Sequence, residues 1–142
     1  MTFWIGVACQ DHTRKGVEGG FAQLGHGKHV AVKNLKAGDW IAYYSPTTTL
    51  GGGEKVQAFT SIGRVVSEQP YQASQSEGFT PWRVDVDYCK EARSAAIHPL
   101  LEQLDLTRGK GAKWGMAVRS SKVKATDADL QTIAKAMGVT AQ

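Results

Sequence analysis

The stretch "WRVDVDYC", from Trp82 to Cys89, alternates strictly between apolar and charged side chains. The alternation puts four apolar residues on one face and three charged residues on the other: Trp82, Val84, Val86 and Tyr88 against Arg83, Asp85 and Asp87. A period of two residues predicts a half-buried antiparallel strand, because one face of such a strand covers a core while the other meets water. The chain is therefore expected to contain a sheet with one covered face.

Four further strands are predicted on either side of this one: 2–9, 39–45, 58–68 and 114–119. The segment "PTTTLGGGEKVQ", residues 46–57, is predicted to be a loop with Gly51–Gly53 at a hairpin tip. Proline lacks a ladder donor and consecutive glycines weaken a strand, so neither continues a central strand.

Helical signals lie between and after the strands. Asp11 is a candidate cap for a short helix that Gly16, Gly19 and Gly20 end. Leucines recur at helical spacing in "IHPLLEQLDL", residues 97–106. The segment "ATDADLQTIAKAMG" predicts a helix between the N-cap Thr126 and Gly138. Short strands with glycine-rich turns and few helices predict an α+β fold, a small, bent, mostly antiparallel sheet or barrel with helices outside.

Composition sets the broad class of the protein. The length of 142 residues predicts one domain, residues 1–142. The formal charge of +4 permits contact with nucleic acid without requiring it. No apolar stretch approaches the ~20 residues of a membrane span, and the N-terminus lacks the features of a signal peptide. A cytoplasmic protein with no membrane association is expected, and its oligomeric state is left open.

Catalytic and metal-binding patterns are sparse. Cys9 with His12, His26 or His29 is a possible nucleophile and base, and the three histidines are a possible metal site. No orienting carboxylate accompanies the cysteine, and the histidines lie in or beside glycine-rich sequence. The prediction is a non-catalytic protein without cofactor or metal.

Aromatic residues instead accompany the flexible segments of the chain. They are Trp4, Phe21, Trp40, Tyr43, Tyr44, Phe79, Trp82 and Trp114, with polar neighbours at Gln23, His26, Ser45, Gln57, Arg119 and Ser120. Flat walls with a few hydrogen-bonding groups suit a nucleobase, since stacking one base on an aromatic side chain contributes ~1–3 kcal/mol. Trp40 and Tyr44 also fit a shared buried face of one strand, so a purely structural role stays open.

The chain resembles the EVE domain, in particular small stand-alone bacterial members. The resemblance spans nearly the whole sequence. It is carried by "FWIGVAC", "GVEGGFAQLGHGK", "LKAGDWIAYYSPTTTLGG", "QAFTSIGRVVSEQPYQ", "FTPWRVDVDY" and "KWGMAVR". It implies a PUA-like fold, a bent barrel of five to six strands with flanking short helices, similar to the YTH domain, a reader of methylated adenine in RNA, and to the ASCH domain. It also implies binding of modified bases in DNA, above all modified cytosine.

The resemblance also implies a set of binding residues. The segment "GVEGGFAQLGHGK" would line the base pocket, with backbone donors freed by Gly20, Gly25 and Gly27. The implied base pocket consists of Trp4, Phe21, Gln23, His26, Tyr43, Tyr44, Ser45 and Trp82. The implied phosphate contacts are Lys28, Arg64, Arg119 and Ser120.

The resulting prediction is a nucleic-acid-binding module that reads a modified base in an aromatic pocket. DNA is the favoured partner. An RNA-binding module of the PUA and YTH kind, a binder of a small nucleotide-like metabolite, and a small enzyme using Cys9 or the histidines are the alternatives.

Overall fold

The computed structural model describes residues 1–141, which form eight β-strands and three α-helices. The strands are β1 (Phe3–Val7), β2 (Phe21–Ala22), β3 (Trp40–Thr49), β4 (Gly52–Val65), β5 (Tyr71–Gln72), β6 (Trp82–Tyr88), β7 (Ala95–Ala96) and β8 (Lys122–Ala125). The helices are α1 (Gln10–Gly19), α2 (His29–Val32) and α3 (Asp127–Ala136), with 3-10 helices at Gly25–Gly27, His98–Leu100 and Gly111–Val118. No helix within residues 1–141 is both long and apolar enough to cross a membrane.

The sheet is curled and mixed. Its main path runs β2-β6-β4-β3-β1-β8, with β5 added to β6 and β7 added to β4. Only the β1–β3 pair is parallel among the strand pairs of the described chain. The predicted α+β fold, a bent and mostly antiparallel sheet with short flanking helices, is confirmed as a half-barrel.

Strand β3 lies at the centre of the sheet and is buried on both faces. Trp40, Ala42 and Tyr44 join a core covered by α3, whereas Ile41 and Tyr43 join a second core with β6 and α2. Successive side chains of a strand point to opposite faces, so a central strand with two covered faces reads as a continuous apolar run. This strand therefore separates two cores.

The strand predicted from "WRVDVDYC" is confirmed. Val84, Val86 and Tyr88 are buried, whereas Asp85 and Asp87 are exposed. Arg83, on the same face as these acidic residues, is only partly exposed. The charged face of β6 is therefore covered in part at its first half, and this is where the candidate site lies.

The predicted loop over residues 46–57 is wrong in most of its length. β3 continues to Thr49 and β4 begins at Gly52, so the two strands extend as a hairpin around a short turn. Register shifts on both sides of Thr47 mark bulges, which accommodate Pro46 without breaking the arm. The placement of the glycines at the hairpin tip is confirmed.

The strand predicted over 114–119 is also wrong, because residues 111–118 form a 3-10 helix. A strand would bury Trp114, Met116 and Val118 together, yet Met116 is 61% exposed while Val118 is buried. The last strand of the sheet is instead β8, which pairs with β1.

The helix predictions have a mixed outcome. In α3 the Thr126 side chain accepts a hydrogen bond from the Asp129 amide, so the predicted N-cap is confirmed. The N-cap position of helix α1 is Cys9 rather than Asp11, and the Cys9 side chain makes no capping hydrogen bond. The helix ends where predicted, at the left-handed Gly20. The segment "IHPLLEQLDL" forms one short 3-10 helix and turns instead of a regular helix.

The turn at Gly25–Gly27 explains why the glycine-rich segment needs its glycines. Gly25, His26 and Gly27 all have φ between 55° and 78°, and a left-handed histidine is uncommon. A Cβ at Gly27 would overlap Pro81, and one at Gly25 would lie 2.8 Å from the Ala31 Cβ. These glycines permit a left-handed turn that packs closely against Pro81 and Ala31.

We predict that Gly27→Ala destabilises the protein by about 2 kcal/mol more than Gly78→Ala does. Both glycines have φ near 78°, so both substitutions carry the same kind of backbone penalty. Only at Gly27 does the new methyl group meet the Pro81 ring, because nothing lies near the Cβ direction of Gly78. Urea unfolding of the two variants measures the difference. Equal losses would mean that Pro81 moves aside freely.

Candidate nucleic-acid interface

A wide groove of about 1620 Å³ crosses the molecule between α1, the segment from Phe21 to Ala31 and the loop that holds Gln75 and Phe79. Ser121 and Lys122 form part of another wall. Leu50, at the tip of the β3–β4 hairpin, lies at its margin and is 82% exposed. The groove is larger than a typical small-molecule pocket of ~300–1,000 Å³.

An arginine stacked on a phenylalanine forms part of the groove wall. The Arg83 guanidinium carbon lies 3.8 Å from the centre of the Phe21 ring. Arg83 Nε donates to Gln23 Oε1 at 3.0 Å, and Arg83 Nη2 donates to Gln75 Oε1 at 3.0 Å. The guanidinium plane is therefore backed by an aromatic ring and held by two amide oxygens.

Strand register brings these residues together. β2 is antiparallel to β6, with Phe21 opposite Asp85 and Ala22 opposite Val84. This register puts the next residue, Gln23, opposite Arg83 and makes Phe21 the diagonal neighbour of Arg83. Side chains within two positions on one face of an antiparallel pair interact directly. The stack is a cross-strand cluster on the polar face of β6.

Buried hydroxyl groups fix the backbone of this cluster. Tyr88 donates to the Phe21 carbonyl at 2.9 Å. The Tyr43 hydroxyl lies 3.3 Å from the Gln23 amide nitrogen and 3.4 Å from the Gln23 carbonyl. His12 Nε2 lies 2.6 Å from the same carbonyl, which requires the ring to donate there. Burial raises the pKa of Tyr43 and that of Tyr88 well above the ordinary tyrosine value, so both remain protonated donors.

The groove carries an excess of positive charge. Four cationic side chains line it, Lys15, Lys28, Arg83 and Lys122, against two carboxylates, Asp11 and Glu18. Lys122 lies 4.7 Å from the centre of the Trp4 ring, and burial together with nearby Lys33 lowers the pKa of its ammonium group. The excess of cationic over acidic side chains makes the groove suited to a negatively charged ligand.

A family model described as the EVE domain matches residues 2–136. The chain belongs to the EVE domain family. Among its relatives, this EVE protein is 47% identical to the UPF0310 protein msl3206 of Mesorhizobium japonicum, over 96% of this chain and 91% of that one. It is 38% identical to the UPF0310 protein YdcG of Bacillus subtilis, over 96% and 92% of the two chains.

Solved structures agree on the fold. The crystal structure of protein Atu2648 from Agrobacterium tumefaciens aligns with a TM-score of 0.59 at 13% identity, over 98% of this chain and 94% of that one. The MmI1 YTH domain aligns with a TM-score of 0.56 at 10% identity, over 94% and 92%. The EVE membership and the fold likeness to the YTH domain are thus confirmed.

The structure of this EVE protein brings together four of the twelve binding residues that the resemblance implied. Phe21, Gln23, His26 and Lys28 all line the groove. Phe21 is not a free wall, however, because Arg83 covers its ring and Gly19 lies against its edge. The flat surface available to a ligand is that of the Arg83 guanidinium, called here the Arg83 platform. Phe21 supports this platform from behind rather than forming it.

Three adjacent residues of β3 do not line the groove. Tyr44 faces the α3 core, where it packs edge-on against Phe59, while Tyr43 lies behind Gln23 with 1% exposure. Ser45 is fully buried, and its hydroxyl lies 2.7 Å from that of Thr60. Strand alternation prevents Tyr43 and Tyr44 from sharing one pocket. Tyr43 contributes through its hydroxyl alone.

The two predicted tryptophans flank the groove without lining it. Trp4 donates from Nε1 to Asp39 at 3.0 Å and contacts the groove only through Lys122. Trp82 lies on the opposite face of β6 from Arg83, with its ring 4.5 Å from that of His29 in an edge-on arrangement. Both act here as packing residues next to the site.

The remaining predicted phosphate contacts lie outside the groove. The Arg64 guanidinium lies 5.4 Å from the centre of the Trp40 ring and donates to the Gly38 carbonyl. Arg119 and Ser120 are exposed and precede the groove-lining Ser121 in the chain. Of the four predicted contacts, only Lys28 belongs to the groove.

Sequence reasoning did not select Arg83, Lys15 or Lys122 for the site. The charged face of β6 was interpreted as a solvated surface, and only its pairing with β2 shows otherwise. The segments "FAQ" and "WRV" contain the residues that would have indicated this part of the site. When the two segments pair in antiparallel register, Phe21 and Gln23 lie beside Arg83.

The alternatives from catalysis and metal binding have little geometric support. Cys9 lines the groove, but His12 Nε2 is already engaged with the Gln23 carbonyl. Over residues 1–141, no group of three or more histidine, cysteine, aspartate or glutamate side chains is placed to hold a metal ion. The non-catalytic interpretation stays a prediction.

We predict that Tyr43→Phe lowers the free energy of unfolding by about 1–2 kcal/mol, because it leaves the buried backbone N–H of Gln23 without its hydrogen-bond partner. Tyr44→Phe is the matched control on the other face of β3. The Tyr44 hydroxyl has no hydrogen bond within the described chain, and burial raises its pKa to about 12. Its removal should change stability by less than about 0.5 kcal/mol. Chemical denaturation measures the free energy of unfolding of both variants. Similar losses of stability in the two would contradict an anchoring role for Tyr43.

Proposed function

We propose that this EVE protein is a non-catalytic reader that binds a nucleic-acid strand in the groove and holds one modified base there. Modified cytosine in DNA is the favoured target. The observation that carries the proposal is the Arg83 guanidinium, a planar cationic surface stacked on Phe21 and fixed by Gln23 and Gln75.

A fixed guanidinium is a suitable stacking partner for a base. Unpaired bases stack on aromatic rings or on arginine planes in nucleic-acid-binding proteins, and such contacts contribute ~1–3 kcal/mol per base. In Arg83 one face is occupied by Phe21 and the Nε and Nη2 donors are satisfied by glutamine oxygens. The residue is ordered before any ligand binds, which lowers the entropic cost of stacking.

The shape and charge of the groove favour a polymer over a free metabolite. A single nucleotide fills a fraction of about 1620 Å³, whereas a strand can follow the groove past Lys15, Lys28 and Lys122. Positively charged grooves that track the backbone are typical of proteins that bind single strands. A nucleotide-like metabolite is therefore the weaker candidate.

RNA is the second candidate partner. The fold likeness to the MmI1 YTH domain supports it, in agreement with the resemblance drawn from the sequence. The Arg83 platform has the same chemistry toward a base in either nucleic acid. Direct competition between matched DNA and RNA strands separates the two.

The test is a titration that follows intrinsic tryptophan fluorescence with short single-stranded oligonucleotides. The set carries central 5-methylcytosine, 5-hydroxymethylcytosine, N6-methyladenine or unmodified bases, each as DNA and as RNA. Tighter binding to one modified base supports a reader and names its ligand. Equal binding to all makes the protein a nonspecific binder. Binding to none overturns the proposal and leaves the metabolite candidate.

We predict that phosphate contacts in the groove make binding salt-dependent. Lys28→Ala should weaken binding to every oligonucleotide alike and lower the slope of log K against log salt by about 0.7, the value for one contact to a single strand. Lys135→Ala, in the last turn of α3, removes the same charge away from the groove and serves as control. An unchanged slope for Lys28→Ala would mean that the strand does not follow this wall.

A further inference from the structure

Gln23 is held by nearly all of its polar atoms. Its amide nitrogen lies 3.3 Å from the Tyr43 hydroxyl, and its carbonyl accepts from His12 at 2.6 Å. Its side-chain Oε1 accepts from Arg83 Nε at 3.0 Å. The residue lines the groove with 5% exposure. One group of Gln23 remains, the side-chain Nε2, and it has no hydrogen-bond partner within residues 1–141.

Arg83 determines which end of the glutamine amide faces the ligand. A guanidinium has five donors and no acceptor, so the atom that it contacts on Gln23 must be the oxygen. The reverse orientation would set an NH₂ donor against the Arg83 Nε–H donor. Gln75 Oε1 holds Nη2 at 3.0 Å and prevents the guanidinium from rotating away. The amide therefore presents Nε2, a donor, beside the stacking plane of Arg83.

We infer that Gln23 is the base-reading donor of this groove and that Arg83 is its positioning residue. The inference rests on the proposed function. It assigns the class of edge that is recognised: one with an acceptor, a carbonyl oxygen or an unprotonated ring nitrogen, in the plane of a base stacked on Arg83. Unpaired cytosine offers O2 and N3 of this kind. A base edge that offers only donors is excluded.

The experiment compares two short single-stranded DNA oligonucleotides that differ only at the centre, where one has 5-methylcytosine and the other an abasic site. The readout is the ratio of their dissociation constants for each variant. Phosphate contacts and overall charge affect both strands equally, so they cancel in the ratio. A hydrogen bond to the base affects only the strand that has the base.

Gln23→Met keeps the length of the side chain and removes its donor. We expect the ratio to fall by about fivefold to tenfold, the effect of one lost hydrogen bond, with abasic binding changed by less than about twofold. Gln23→Glu keeps an acceptor for Arg83 and also lacks a donor. We expect Gln23→Glu to lower the ratio of dissociation constants by the same factor, although its negative charge weakens binding to both strands.

Arg83→Lys keeps the positive charge but not the planar fork that fixes Gln23 and stacks on the base. We expect it to reduce the ratio at least as much as Gln23→Met and to leave the salt dependence of abasic binding unchanged. The double variant Gln23→Met with Arg83→Lys should be no worse than Arg83→Lys alone, since the lysine has already released the amide. Circular dichroism melting curves identify any variant that does not fold.

The outcomes separate the inference from the function on which it rests. Wild-type protein that binds both strands equally, or neither, overturns the reader and the inference together. A wild-type preference for 5-methylcytosine that Gln23→Met and Gln23→Glu both retain upholds the reader and overturns Gln23 as its donor. A loss of equal size on both strands assigns Gln23 a structural role and also overturns the inference.

Discussion

Two buried tyrosine hydroxyls attach the glycine-rich segment to the sheet, and the geometry of the groove depends on them. The strand in this segment, β2, has only two residues, too few to hold its own register. Tyr88 binds the carbonyl of Phe21, and Tyr43 binds the backbone of Gln23. Since burial raises the pKa of both phenols, they stay protonated throughout the neutral pH range. Each hydroxyl donates to a backbone carbonyl, and the Tyr43 oxygen also accepts from the Gln23 backbone N–H. A phenol is rigid, so its hydroxyl fixes the backbone position closely.

The same arrangement relates the two cores to the site. Tyr43 and Tyr88 belong to the core between β3, β6 and α2, whereas Tyr44 belongs to the core under α3. Both tyrosines that anchor the site therefore belong to the same core. A substitution in the α3 core that leaves the sheet intact should affect overall stability more than the shape of the groove.

Much of the fold follows from local patterns in the sequence. The alternation in β6 and the cap at Thr126 each specify their element because one strong local signal acts without competition. The two errors in the strand and loop predictions, at 46–57 and 114–119, arise where tertiary structure decides. Pro46 is tolerated because the hairpin arm extends past the neighbouring strands, and a run such as "KWGMAVR" fits a strand until Met116 is seen to be exposed. Neither fact is encoded within the segment itself.

The site was predictable in part for a related reason. The composition of the glycine-rich segment drew attention to Gln23 and His26, whereas Lys28 was implied by the resemblance. Arg83 was missed because its importance depends on register with a strand sixty residues earlier. Tyr43 and Tyr44 were both selected because a resemblance identifies positions, whereas only the direction of each side chain shows that one of them points away.

The arrangement divides the work of binding between two kinds of contact. Lysines attract any phosphate backbone and carry no information on sequence, and Arg83 stacks on any base. Selectivity must then come from a neutral, directional group, and Gln23 is one such group held rigidly in the groove. Extracting a base from a duplex costs a few kcal/mol, whereas one stacked base contributes ~1–3 kcal/mol. Stacking on Arg83 alone therefore barely offsets the free-energy cost of extruding the base. Contacts between the four cationic side chains of the groove and the phosphates have to supply the remaining binding energy. For an unpaired base no such cost arises, so this site should bind single-stranded targets more tightly than duplexes at the same salt concentration.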